Sequence, residues 1–488
     1  MARNVFSRLG QKLVRTGILL GAVTYCWAAP GWSDSLFAQE QQSPVPAESG
    51  KVPVEGDPKA NLANPALGTE TAAETAAEEA ADDGPPAWSL TDLFQEGEYN
   101  WMTANQLKVG GSTVASYTFN FRSPSDKFNG PVTWTDRSNE FQLNQQWLYL
   151  ERATDTTEKD WDLGGRVDML YGTNYRWATS AGLEDRWSMN TNQQFYGMAL
   201  PQLYAEAAYK NVKVKAGHFV SPVGYFTVDT SQNFFNTLPY TYQYGEPFTH
   251  TGALATVSLT DNLTVGSGFI RGWDNWDAGG AGSPNLGYLG TATYTFEDKS
   301  TLALVVVWSR EFNNRFTPDG DFDFSSRYFQ TLVYSRQLTE NINYVFQSDF
   351  GNQGTTSDFS GTREIGNANW YGINQYLFYK QNDCWTWGAN FEWFRDQNGY
   401  RVGSVLPTFT TPTSQTRGLP ADRYGYQGNF FQVTVGPKWT PNKNLFIRPN
   451  LRFDWFSGDN LNATQQKPYG DGEDSYQTIL GTDIGIVY

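Results

Sequence analysis

The feature that most constrains this chain is an alternation of apolar and charged side chains at every second residue. It is clearest in LFIRPNLRFDWFS, residues 445–457, where Leu445, Ile447, Leu451, Phe453 and Trp455 share one face and Arg448, Asn450, Arg452 and Asp454 share the other. Successive side chains of a strand point to opposite faces, so such a segment has one greasy and one charged side. Windows of this kind, of about ten residues or more, recur about sixteen times between 107–121 and 476–488, the length and even number of a transmembrane barrel. Short links at Lys210–Asn211, Thr260–Asn262, Thr339–Glu340 and Pro441–Asn444 alternate with long polar loops. That rhythm predicts an all-β fold: an antiparallel up-and-down barrel of the bacterial outer membrane, with short periplasmic turns and long external loops.

Composition agrees once half of each strand is allowed to be polar. The chain is 16% aromatic, yet its mean hydropathy is -0.53. Beyond the N-terminus the longest apolar run is Leu302–Trp308, too short for a helical span. Net charge is -16, which argues against a nucleic-acid partner and mildly against strong anion selectivity. Residues 1–38 read as a signal peptide, with Arg3, Arg8, Lys12 and Arg15 ahead of an apolar stretch and small residues. Residues 39–87, rich in Ala, Glu and Pro, cannot bury enough surface to offset ordering entropy and read as a disordered periplasmic linker. Residues 88–488 form the barrel unit, with WSLTDLF (88–94) a short amphipathic piece abutting its floor.

Facing can be assigned on the cleaner strands. Trp385, Trp387, Ala389, Phe391 and Trp393 should meet lipid and leave Asn390 and Glu392 inside; Ile342, Tyr344, Phe346 and Phe350 should do the same and leave Asn343, Gln347 and Asp349 inside. Windows near 139–152, 300–311 and 369–381 show no clean alternation. Pro449 removes a ladder donor and predicts a local break.

Four segments carry a family resemblance: GHFVSPVGYF (217–226), EPFTHTG (246–252), IRGWDN (270–275) and IRPNLRFDWFSGD (447–459). In this order they resemble the OmpL-like β-barrel porin-2 family, with the similarity running from about Trp88 to the C-terminus. Asn450 departs from the acid that commonly follows the proline there. The resemblance implies an outer-membrane porin and fixes no solute. The terminal face Ile484, Ile486 and Tyr488 resembles the C-terminal signal read by the barrel-assembly machinery.

The functional expectation is a passive, water-filled channel for small hydrophilic solutes, embedded in outer-membrane lipid, needing no cofactor and leaving homotrimer assembly open. Its pore lining is Arg166, Asp168, Glu206, Asp349, Asn390, Glu392, Arg448, Asn450, Arg452 and Asp454, with the arginines set against the acids across the lumen. The competing reading of each charge is a cross-strand ion pair that holds the wall together. The loop 221–249 is aromatic and poor in charge, and its Tyr225, Phe234, Phe235, Tyr240, Tyr242 and Tyr244 make it a constriction loop folded into the lumen, a cover across the mouth or a subunit contact. Two alternatives stand beside the porin: an occluded structural or adhesive barrel, and a barrel-borne hydrolase, for which His218 and His250 are the only conventional bases. His218 shares a face with Val212 and Val214 and should lie on the lipid side. The acidic clusters at Asp319, Asp321 and Asp323 and at 471–474 lack a complete calcium spacing and read as solvated.

Overall fold

A computed structural model describes residues 88–96, 99–191, 195–277, 285–316, 322–357, 364–403, 425–460 and 467–488. The signal peptide, the linker, Asp319 and Asp321 lie outside the described residues. Apart from a two-stranded ribbon of Gln95–Glu96 with Tyr99–Asn100, the strands close into one antiparallel barrel. In chain order they are β1 (Lys108–Asn120), β2 (Phe141–Arg152), β3 (Trp161–Gly172), β4 (Gly197–Tyr209), β5 (Val212–Val220), β6 (Thr249–Thr260), β7 (Leu263–Ile270) and β8 (Gly287–Thr295). The second half comprises β9 (Thr301–Phe316), β10 (Phe322–Thr339), β11 (Ile342–Ser357), β12 (Glu364–Lys380), β13 (Trp385–Asp396), β14 (Tyr426–Asn442), β15 (Leu445–Ile447 and Asn450–Asn460) and β16 (Tyr476–Val487).

Strand β15 is split because Arg448 and Pro449 leave the ladder, the break that a proline without an N–H imposes. Counting it once gives the sixteen strands of the fold. β16 pairs with β1, Ile484 opposite Ala115, so no sheet edge is left open to lipid. At this seam Trp88 stacks on the C-terminal Tyr488 at 6.0 Å, and the Thr91 hydroxyl donates to Val109 O at 3.0 Å. The segment ahead of the barrel is thus fastened to the short-turn rim.

The period-two pattern translates into an inner and an outer face. Trp387, Phe391, Leu377, Leu451, Leu480 and Ile484 are exposed on the outside, whereas Asn390, Glu392, Gln347 and Asp349 are buried inside. Tyr209, Tyr294, Phe296 and Tyr379 ring the short-turn end and Phe119, Phe121, Phe141 and Trp308 the long-loop end, the two aromatic girdles of a membrane barrel. The three windows without alternation are strands too. β9 turns Val305 and Val307 inward and β12 turns Trp370, Tyr376 and Phe378 inward, so these strands are apolar on both faces. Their inner residues meet protein rather than water.

Candidate functional site

What they meet is the connection between β5 and β6. Residues 221–248 fold into the barrel, with one π-turn at Thr241–Gly245, and nearly all of them are buried. The loop spans the lumen from the β1–β2 wall to the β11–β13 wall. On the first side the Gln145 amide donates to Val228 O at 2.7 Å and the Ser112 hydroxyl to Asp229 Oδ1 at 3.3 Å. On the far side Trp370 Nε1 donates to Gly245 O at 3.0 Å, Gln347 Nε2 donates to Glu246 Oε1 at 2.6 Å, and Gln347 Oε1 accepts from Tyr225 N at 3.2 Å.

Charged wall residues hold its backbone. Arg448 Nη1 donates to Thr230 O at 2.9 Å and Asn233 O at 2.5 Å, while its Nε and Nη2 close on Asp483 Oδ2 at 2.8 and 2.6 Å. Arg452 Nη1 reaches Thr237 Oγ1 at 2.9 Å and Leu238 O at 2.6 Å, with its Nε on Asp454 Oδ1 at 2.8 Å. Glu392 accepts from Tyr240 N at 2.6 Å and from Thr241 N and Oγ1 at 2.5 and 2.6 Å, satisfying donors that open the π-turn. Charge-assisted bonds of this kind are about twice as strong as neutral ones.

The aromatic residues of the loop seat against the wall and the neighbouring loops. Tyr225 packs on Tyr376 at 4.9 Å, Phe234 on Phe378 at 4.9 Å and on Phe235 at 4.8 Å, and Tyr240 on Phe430 at 5.0 Å. Tyr242 lies 4.8 Å from Phe248, and the Tyr244 hydroxyl donates to Pro131 O in the loop above. Wall glycines make the room: a Cβ at Gly388 would stand 2.2 Å from the Phe234 ring, and one at Gly372 2.6 Å from Thr241 Oγ1. In the sequence a glycine on an inner face looks the same whether it faces water or a ring.

The arginines therefore do not stand across the lumen from the acids. Arg166 closes on Asp168 of its own strand at 2.7 Å, Arg452 on Asp454 of its own strand, and Arg448 on Asp483 of the adjacent strand. Two residues along a strand return to the same face, so the i,i+2 pairs form locally. Asp483 supplies the carboxylate that Asn450, which donates to Arg448 O at 3.4 Å, cannot. Glu206, with Thr154 as hydrogen-bond donor, borders a cavity of about 50 Å³ near the short-turn end. Asp349 accepts from Thr331 Oγ1 at 2.6 Å and Gln347 at 3.1 Å; Asn390 bonds Asn374 Oδ1 at 3.4 Å.

Above the inward loop the other loops close in. Arg176 and Asp136 form a wholly buried pair at 2.8 Å, Arg401 Nε donates to Tyr244 O at 2.6 Å, and Asp471 accepts from Ser125 N at 2.8 Å. Glu184, in the loop after β3, accepts from Ser180 N and Leu200 N, both at 2.6 Å, and burial pushes its carboxyl up to about 7. Burial likewise raises the Asp229 carboxyl, opposed by the Ser231 hydroxyl and N–H that donate to it. His218 sits on the outer face of β5 but is covered by Trp276, stacked at 4.1 Å, with Ser180 Oγ at 3.5 Å and Thr251 Oγ1 at 2.7 Å from its nitrogens. His250 lies between Ser221 Oγ at 3.0 Å and Gly272 O at 2.9 Å. Both rings are fully buried, so neither serine–imidazole contact is open to a substrate. Among the described residues no group of His, Cys, Asp and Glu is placed to hold a metal ion.

Solved structures with similar folds include the outer-membrane channel DcaP of Acinetobacter baumannii (10% identity, 78% of this chain and 97% of that one, TM-score 0.48), Pseudomonas putida OprB (12%, 80% and 96%, 0.48) and Salmonella typhi OmpF (14%, 79% and 98%, 0.48). No curated protein matches the chain. Residues 106–487 match the family described as "Putative beta-barrel porin-2, OmpL-like", and the chain belongs to that family of porins.

Proposed function

We propose that this chain is a passive diffusion porin of the bacterial outer membrane whose pore is narrowed from within by residues 221–248. One observation carries the reading: the loop that an ordinary barrel would leave outside is buried in the lumen, spans it from Gln145 to Gln347, and is held to one wall by Arg448 and Arg452 of β15 and Glu392 of β13. Such a loop sets the bore, and the charged wall behind it sets its position. Inner side chains at its level, from Val345 and Asn374 round to Gln432 and Asp483, are buried, which favours a second state-dependent reading: the described conformation is a closed one. An occluded structural barrel would share this packing but would never open. The burial of both histidines supports a channel without chemistry. A homotrimer, in contact with lipid along its apolar outer band, is proposed on the barrel fold; the mass of the detergent-solubilised protein tests it.

Swelling of proteoliposomes in sugars of increasing size tests the porin reading. Small sugars should enter and larger oligosaccharides should not. Protein shown to be folded by its heat-modifiable gel mobility, yet giving no swelling with any sugar, would overturn it.

A further inference from the structure

The outer face of β6–β9 departs from the rest of the apolar band. Strand register lets its residues be followed upward in cross-strand rows. Val257, Val265, Ala292 and Leu304 form one row, and Ala255, Ser267, Gly290 and Val306 form the outward-facing row above it. Most of these side chains are small, and they line a depression of about 560 Å³ in the barrel wall. Small-molecule sites have volumes of about 300–1,000 Å³. On β13–β15, by contrast, the outer face carries the rings of Phe391, Trp393, Phe431, Phe453 and Trp455.

The next outward row is aromatic: Tyr288 is in register with Phe269 on one side and Trp308 on the other, and all three rings are exposed. Two residues further along each strand, on the same face, stand Arg271, Leu286 and Arg310. Arg271 N donates to Thr251 O at 2.7 Å, which carries the pairing with β6 one residue past the end of β7. At the spacing of a sheet this row lies roughly 7 Å above the rings, with the two arginine Cα atoms roughly 10 Å apart and Leu286 between them. Leu286 and Arg310 are exposed and Arg271 is half-buried. Arg310 Nη2 donates to Phe324 O at 2.7 Å. Neither guanidinium has a carboxylate within 4.0 Å among the described residues. An apolar hollow, a belt of rings and a pair of unanswered cations thus follow one another toward the long-loop end.

We infer that this face is a lipid site: a phosphorylated glycolipid of the outer leaflet lays its acyl chains in the depression and sets a phosphate between Arg271 and Arg310. The long loops of such a barrel are external, so the headgroups at the level of the arginines belong to the outer leaflet. Aromatic rings mark the boundary between chains and headgroups. The planar fork of a guanidinium matches the oxygens of a phosphate and takes them in pairs. A second copy docked face to face would instead bring the same arginines together. The inference concerns the outside of the wall and stands whether or not the lumen conducts.

The test is native mass spectrometry of the purified protein in detergent, titrated with diphosphoryl lipid A and, separately, with the same lipid stripped of its phosphates. The native chain should hold one phosphorylated lipid at a concentration at least tenfold below that needed for the stripped one. R271Q/R310Q should lose that preference, and A292W, which fills the hollow, should weaken the binding of both lipids several-fold. R395Q is the control, since Arg395 follows Trp393 on the outer face of β13, where the band is filled by rings, and should bind as the native chain does. Heat-modifiable mobility checks that each variant is folded. Equal affinity of the native chain for the two lipids overturns the inference, as does binding unchanged in both folded variants. Loss of a homo-oligomer in A292W, with lipid binding intact, would assign the hollow to a second copy and overturn it too.

Discussion

Replacing Arg452 by Gln should release the inward loop. The guanidinium is completely buried and gives the loop two hydrogen bonds, to Thr237 Oγ1 and Leu238 O, while Asp454 neutralises it. A hydrogen bond from a charged donor contributes about 1.5–3 kcal/mol, so the loop loses about 3 kcal/mol of docking free energy at the low end. At about 1.4 kcal/mol per tenfold change, the undocked population should rise about a hundredfold. Asp454 keeps Gln477 Nε2 at 2.9 Å, which tempers but does not remove the cost of leaving a buried carboxylate without its cation. Single-channel recording should therefore show more frequent and longer wide openings in R452Q. Arg166→Gln is the control, because Arg166 also forms a wall ion pair, with Asp168 and Glu151, but none of its hydrogen bonds reaches the loop. If R452Q and R166Q show the same open dwell times as the native pore, the latch reasoning is wrong.

Three further outcomes follow from other contacts. Gly388→Val puts a side chain where the Phe234 ring sits, an overpacking that should cost about 1–3 kcal/mol and raise the exchange rate of loop amides, read by hydrogen exchange of 228–240. Phe391→Arg, on the lipid face near mid-strand, should destabilise the barrel by about 2–4 kcal/mol in urea unfolding from vesicles, whereas Phe391→Leu should be close to neutral. Glu184 has a carboxyl pushed up to about 7 from an ordinary 4.5, so the folded loop holds its proton more tightly than the unfolded chain. Its contribution is therefore fully present below about 4.5 and lost as pH rises through about 7, a difference of about 3 kcal/mol from the shift. Protection of the Ser180 and Leu200 amides, corrected for intrinsic exchange, should fall between pH 5 and pH 8, and constant protection would contradict it.

The sequence announces the strands of this barrel because lipid outside and polar groups inside impose period two. β11 and β13 show it plainly: Phe350 and Phe391 are exposed to the outer side while Asp349 and Glu392 point in. The break at Pro449 is equally legible, since a missing N–H has the same effect in any ladder. β9 and β12 hide their facing for the converse reason. Val305, Val307, Trp370 and Tyr376 are core residues of a lumen filled by loops, so both faces are apolar and the alternation disappears. The aromatic, weakly charged composition of 221–249 marks it as a segment that prefers burial, but its partners are far away in sequence. Nothing near Tyr240 foretells Glu392, and nothing near Asn233 foretells Arg448. Likewise the spacing of Arg166 with Asp168 and of Arg452 with Asp454 shows that each pair shares a face. That each arginine closes on its own neighbour, and spends its remaining donors on the loop in the case of Arg452, is decided only by the fold.

The central claim is that a loop-narrowed lumen opens to solutes, and single-channel conductance of the purified protein in a planar bilayer tests it most directly. The account predicts discrete current steps interrupted by closures, with the open fraction increased in R452Q. A persistent electrical seal from protein shown to be folded and inserted, native and R452Q alike, would contradict it and leave an occluded barrel in its place.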